Sequence, residues 1–286
     1  MKVRIITALV SIAGIFPFFW FSEPVEPTNP LNYVFPLLIS LIAFVSTWEL
    51  LHCVSLDKNY FVSVPLYLAS LTFPMLARVM REMRADYIRA AILVALILAV
   101  YLFAVIVFQF GKVDMGKIAL VFMTDFYVIG AFSAIILLRD EGIAGRFLFI
   151  MPFVFSWVTD SFAYFCGRLF GKHKLIPAVS PKKTVEGAVG GAVFCALTAF
   201  LYGFIVQKAF GVAPSYPVLI IGGLIISVVS QIGDLVMSAI KRQYGVKDFG
   251  YMLPGHGGLL DRFDSSIAVT VILVLINTYF PIFPVA

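Results

Sequence analysis

Residues 238–264 read SAIKRQYGVKDFGYMLPGHGGLLDRFD, and apolar runs of membrane-spanning length flank them, 216–240 before and 262–283 after. A block this polar between two such runs belongs at a membrane surface, where its charged groups stay hydrated. That placement decides the fold class. The flanking segments must be helices, because helices with short loops satisfy their own backbone polar groups in lipid. No alternation of the kind that marks a barrel strand is present. Working outward, further apolar runs cover about 3–21, 32–53, 60–79, 88–110, 118–138, 147–170 and 186–207. The reading is an all-α polytopic membrane protein with about nine transmembrane helices.

Composition agrees. The chain has 286 residues, 61% hydrophobic and 13% charged, whereas a soluble domain is about half apolar and about a quarter charged. The first run carries Met1-Lys2-Val3-Arg4 and lacks a small-residue cleavage site, so it reads as a retained helix. Cys53, Cys166 and Cys195 fall in or beside apolar runs, with no CxxC spacing. They read as small buried hydrophobes, not as zinc ligands or disulfide partners. The net charge of +5 suits an anionic membrane surface and anionic substrates. It sits in short loops between spans, which argues against a nucleic-acid partner.

Three linear segments follow: N-terminal helices over 1–84, middle helices over 85–146 with a candidate dimer contact, and a catalytic segment over 147–286. The proline-rich acidic linker Ser22–Asn32 reads as an exposed loop. With the N-terminus inside, fourteen of the 21 Lys and Arg fall on the inner side. The reading is therefore N-in and C-out, with the polar loops facing the cytoplasm. Arg78, Arg81 and Arg84 run against it: either they snorkel at a helix end, or an early span is miscounted.

Ionisable residues inside spans are costly, so each is a candidate for function. Asp160, Tyr164, Gly167 and Gly171 share one helix face at i, i+4, i+7 and i+11, with Ser161 beside them. The small residues on that face admit a ligand or another helix. The next block, Ser180-Pro181-Lys182-Lys183-Thr184-Val185-Glu186-Gly187, sets two lysines before a span, with Pro181 near the helix start. A helix N-terminus beside lysines is a phosphate seat. Asp234, Ser238 and Lys241 again share a face, and Arg242, Lys247 and Asp248 follow. Asp261 and Asp264, at i and i+3 around Arg262, open the last span. Carboxylates this close need a cation between them, and magnesium suits oxygen ligands shared with phosphates. The metal candidates are thus Asp234, Asp261 and Asp264. Gly255, Gly257 and Gly258 indicate close backbone approach to a ligand, and His256 is a base, a phosphate donor or a turn residue. Glu49 and Asp125 are weaker signals that fit bonds across helices.

The pattern S-x-I-K-R-x4-K-D-x5-P-G-H-G-G-x2-D-R-x-D over Ser238–Asp264 resembles the signature of the integral-membrane phosphatidate cytidylyltransferases, or CDP-diacylglycerol synthases. The SPKKTVEG block and the Asp160–Gly171 block also look like that family, in the same order. The resemblance implies the reaction of CTP with phosphatidate to CDP-diacylglycerol and pyrophosphate, a step of phospholipid biosynthesis. It also implies a divalent cation and a homodimer, and the location expected is the inner (cytoplasmic) cell membrane; a second cation is left open. Within that reading Lys182, Lys183, Lys241, Arg242, Asp248, His256 and Arg262 are the catalytic candidates. Asp160, Ser161, Tyr164, Ser180, Thr184, Ser238, Lys247, Gly257 and Gly258 are the substrate-binding candidates. The rivals are a CTP-dependent polyprenol kinase, which would release CDP, and an ion-coupled transporter, which would show internal repeats and broken helices.

Overall fold

The computed structural model describes residues 30–83, 86–252 and 257–284. The expected first span, most of the Ser22–Asn32 linker, Arg84, and the stretch Pro254, Gly255 and His256 lie outside the described residues. After a short 3-10 turn at Pro30–Tyr33 come α1 (Val34–Cys53), α2 (Tyr60–Glu82), α3 (Tyr87–Phe108) and α4 (Met115–Arg139). Then follow α5 (Gly142–Leu148), α6 (Met151–Phe170), β1 (Lys174–Ile176), β2 (Ser180–Thr184), α7 (Val185–Phe210), α8 (Tyr216–Gln243) and α9 (Leu260–Tyr279).

Among the described residues seven helical segments are long and apolar enough to cross a membrane, with α5 and α6 counted as one. Twenty residues of helix rise about 30 Å, the thickness of a bilayer core. The α9 helix also has 20 residues, but carries Asp261, Arg262 and Asp264 in its first two turns. The chain is thus a multi-pass α-helical membrane protein, and the figure of nine spans is approximate. The run 147–170 is not one helix. It breaks at Phe149 and Ile150, and α6 restarts with Pro152 in its first turn, where a missing N–H costs nothing.

One expectation is corrected. The segment SPKKT is a strand, not a loop leading into a helix. Lys174 faces Thr184 and Ile176 faces Ser180 in an antiparallel two-stranded ribbon. Pro181 is tolerated there because both strands of a two-stranded ribbon are edges. The α7 helix begins only at Val185, where the Thr184 hydroxyl accepts the Gly187 N–H at 3.2 Å as N-cap.

The described residues fall in two compact units, bounded as Met1–Leu137 with Val246–Arg262, and Leu138–Gly245 with Phe263–Ala286. The three linear segments are a division by sequence, and the loop before α9 packs with the first unit instead of the segment that contains it. In that unit α1 packs on α2 and α2 on α3, and buried Thr47 donates to Asp125 Oδ1 at 2.6 Å. Two of the three conflicting arginines have partners within the protein: Arg78 pairs with Glu82 at 2.9 Å, and Arg81 donates to the Leu137 carbonyl at 3.2 Å.

In the second unit α7 packs on both α6 and α8. Gly187, Gly191, Cys195, Ala199 and Gly203 recur every four residues along α7, and all are buried. A methyl at Gly191 would come 2.9 Å from the Thr159 carbonyl of α6, and one at Gly203 would come 2.5 Å from Leu219 of α8. Lipid offers helices no hydrophobic drive to associate, so close approach along small residues holds this layer together.

Candidate active site

The second unit gathers charge from four elements. Asp160 comes from α6, Lys183 from β2, Asp234, Ser238 and Lys241 from α8, and Asp264 and Ser265 from α9. Lys183 Nζ is ion-paired with Asp234 Oδ2, and the Ser238 hydroxyl donates to Asp234 Oδ1 at 3.4 Å. Lys241, nearly buried, lies 3.8 Å from Asp264 Oδ2. The Ser265 hydroxyl donates to Asp160 Oδ2 at 3.1 Å, and its N–H donates to Asp264 Oδ1 at 2.8 Å. Asp160, Asp234 and Asp264 lie within electrostatic reach of one another. The helical spacing on α8 places Asp234, Ser238 and Lys241 on one face, and the ribbon carries Lys183 to it.

Three carboxylates therefore face two ammonium groups. Among the described residues no three His, Cys, Asp or Glu side chains stand close enough to hold a metal ion without rearrangement. The lysines hold positions beside Asp234 and Asp264 that a divalent cation would contest.

The signature loop is built within the first unit. Asp261 is buried, and its Oδ2 accepts N–H groups from Phe249 at 2.8 Å and Gly258 at 3.0 Å. Glu49 of α1 accepts the N–H groups of Leu259 at 2.8 Å and Leu260 at 2.7 Å. Gly257 has φ +84°, a conformation that favours glycine, and a methyl on it would meet Asp248 at 3.2 Å.

The remaining candidates are scattered. Lys182, Arg242, Lys247 and Arg262 are exposed. Ser161 and Tyr164 are exposed on α6, and Arg168 donates to the Tyr164 hydroxyl at 3.4 Å. Ser180 is half-buried at the start of β2, and Thr184 is committed to capping α7. Gly167 lies on the Asp160 face, whereas Gly171, expected on the same face, is the extended C-cap that follows α6; both serve packing, and a methyl on Gly167 would lie 2.7 Å from Thr184 Oγ1. His256 lies outside the described residues. Sequence reasoning missed Ser265 as the link between Asp160 and Asp264, and gave Glu49 little weight. A glutamate inside an apolar span was the available signal for the latter.

Fold and site together define a multi-pass membrane protein with a lysine–aspartate centre, assembled from helices and a surface hairpin, of a kind suited to anionic substrates. The family model described as "Cytidylyltransferase family" matches residues 2–280. The chain belongs to that family and is an enzyme of the nucleotidyltransferase class. A Staphylococcus saprophyticus protein named "Phosphatidate cytidylyltransferase" is 34% identical over 274 residues, 96% of this chain and 97% of that protein. A Staphylococcus aureus protein of the same name is 33% identical over 279 residues, again 96% and 97% of the two chains. A Bacillus subtilis protein of that name is 40% identical over 164 residues, 57% of this chain and 60% of its own.

Proposed function

We propose that the chain transfers CMP from CTP to phosphatidate, giving CDP-diacylglycerol and pyrophosphate. The observation that carries this reading is the cluster of Lys183, Asp234, Lys241 and Asp264 in a chain similar over almost its whole length to proteins of that name. A phosphate oxygen of phosphatidate attacks the α-phosphorus of CTP. The bond from that phosphorus to the α,β-bridging oxygen breaks, and its electron pair leaves with pyrophosphate. A phosphate monoester is largely ionised near neutrality, with a second pKa of about 6, so the nucleophile needs no strong base and His256 is not required as one. The demand is charge neutralisation and alignment of two anionic partners. Lys183 and Lys241 supply cationic donors at the cluster, and exposed Lys182 and Arg242 of the same unit supply further phosphate contacts.

Magnesium fits the donor chemistry, since Asp160, Asp234 and Asp264 present hard oxygen atoms in excess of the two lysines. Asp234 and Asp264 of the second unit would hold it; Asp261, the third ligand expected from the sequence, belongs to the first unit, where its Oδ2 accepts two backbone N–H groups. When bound it would offset charge on the nucleotide phosphates and the departing pyrophosphate. The proposal places the site at the cytoplasmic face of the cell membrane, open sideways to lipid so that the acyl tails stay in the bilayer, in a homodimer.

The test is an assay of purified protein in detergent micelles with CTP, short-chain phosphatidate and magnesium. Equal amounts of pyrophosphate and CDP-lipid, abolished by EDTA, are expected. Release of CDP with a lipid alcohol as acceptor would replace this reading with a lipid kinase.

A further inference from the structure

Glu49 lies near the end of α1, far in sequence from the signature loop, and its residue is 0% exposed. A carboxylate removed from water is costly unless donors meet it. Here Oε1 receives the Leu259 N–H and Oε2 receives the Leu260 N–H. These are amides at the start of α9, where the helix dipole also favours negative charge.

The loop is shaped around this side chain. A methyl added to Gly258 would come within 2.6 Å of Glu49 Oε2, and a methyl added to Gly250 would come within 2.8 Å of Cδ. Both positions lack a side chain where the carboxylate needs the room. Gly258 is therefore bare for Glu49, a use that does not require a ligand. With Asp261 taking the Gly258 N–H, three consecutive amides, Gly258 to Leu260, are spent on protein carboxylates. Those three amides are not open to a substrate phosphate.

We propose that Glu49 is a positioning residue for the transfer reaction: it fixes the first turn of α9, and so the direction in which that turn presents Asp261 and Arg262. The reaction in this statement rests on the function proposed above. Glu49 touches no reacting atom. It acts through the backbone that carries the residues which do.

The experiment compares full-length wild type with Glu49→Gln, Glu49→Asp and Gly258→Ala in detergent micelles, by amide hydrogen exchange and by steady-state kinetics. Glu49→Gln replaces one acceptor by a donor facing an N–H. It should speed exchange at 257–260 at least about tenfold and leave α6 and α7 protected. It should lower kcat by roughly 100-fold, the scale of a small misplacement of reacting groups, with the phosphatidate KM little changed. Glu49→Asp keeps the charge and both acceptors, and should recover at least about a tenth of wild-type kcat. Gly258→Ala should loosen the same amides, and its combination with Glu49→Gln should be no worse than either alone, because both break one contact. Unchanged exchange at 257–260, or near-normal kcat in Glu49→Gln, with an active wild type, overturns the role of Glu49 alone. Exchange that rises throughout the protein in both Glu49 variants also overturns it, in favour of a purely structural role. If wild type makes no CDP-lipid while Glu49→Gln still loosens 257–260, the reaction reading falls, and with it the positioning role, but the contact stands.

Discussion

Lys183 on β2 and Asp234 on α8 are 51 positions apart in the chain and form an ion pair inside the polar cluster of the second unit. Both side chains remain about a quarter exposed, so ligands can reach them. The pair ties the hairpin to the helix, and it means that Asp234 already holds a cation. A divalent ion that takes Asp234 Oδ2 would compete with Lys183, and an ammonium displaced from it would be available to a phosphate.

That exchange predicts an unusual split in Lys183→Met. Divalent cation binding without nucleotide should tighten, by about tenfold if the pair is worth about 1.4 kcal/mol, while turnover falls. Titration of Mn2+ followed by electron paramagnetic resonance checks the first effect, and the micelle assay checks the second. Unchanged Mn2+ affinity would place the metal away from Asp234.

Asp261→Asn should fold but lose activity. The side chain keeps one acceptor for Phe249 and Gly258, yet loses the charge that strengthens both bonds. Hydrogen bonds to charged groups contribute about 1.5–3 kcal/mol each, so thermal unfolding in detergent should show a modest drop beside a large loss of turnover. Near-normal turnover would remove Asp261 from the site.

Gly191→Val should destabilise the second unit. Its added methyl lies 2.9 Å from the Thr159 carbonyl and 3.2 Å from the Ala163 side chain, with no space to yield. Overpacking of this kind costs typically about 1–3 kcal/mol. Gly130→Ala on α4 is the control: nothing lies within 4 Å of the new methyl, so its unfolding temperature should match wild type or exceed it. Equal melting of the two variants would argue against close packing along the α7 stripe.

Outside the spans, Asp57 is held below the usual carboxylate range, first by its hydrogen bond to His52 Nδ1 at 3.0 Å. A depressed folded-state pKa contributes stability above the unfolded value of about 4 and loses it as pH falls through the folded value. Asp57→Asn should therefore lower the unfolding temperature modestly in the neutral region, where the charged pair contributes, and converge on wild type at acid pH, so that the acid side of the curve of unfolding temperature against pH is flatter. A curve of unaltered shape would deny the pair any role.

Much of the architecture was legible locally. Spanning helices announce themselves by length and apolarity, and α1 to α4, α7 and α8 lie where those runs do. The common faces of Asp234, Ser238 and Lys241, and of Asp261 and Asp264, follow from a 3.6-residue period. The hairpin was not legible, because its strands are three and five residues long and carry no alternation. Nor was the use of Gly167, Gly187 and Gly191: small residues on a helix admit a ligand or a neighbour equally, and only packing shows that α6 and α7 meet there.

By itself, then, the sequence determined a helical membrane protein, the residue types of its chemistry and the helix faces that carry them, since each is a property of neighbours along the chain. Tertiary structure alone decided that Lys183 pairs with Asp234, that Ser265 joins Asp160 to Asp264, and that Glu49 grips amides 210 and 211 positions away. Those choices arise where segments remote in sequence are packed together and a buried carboxylate must find donors. No local pattern encodes which donors it will find.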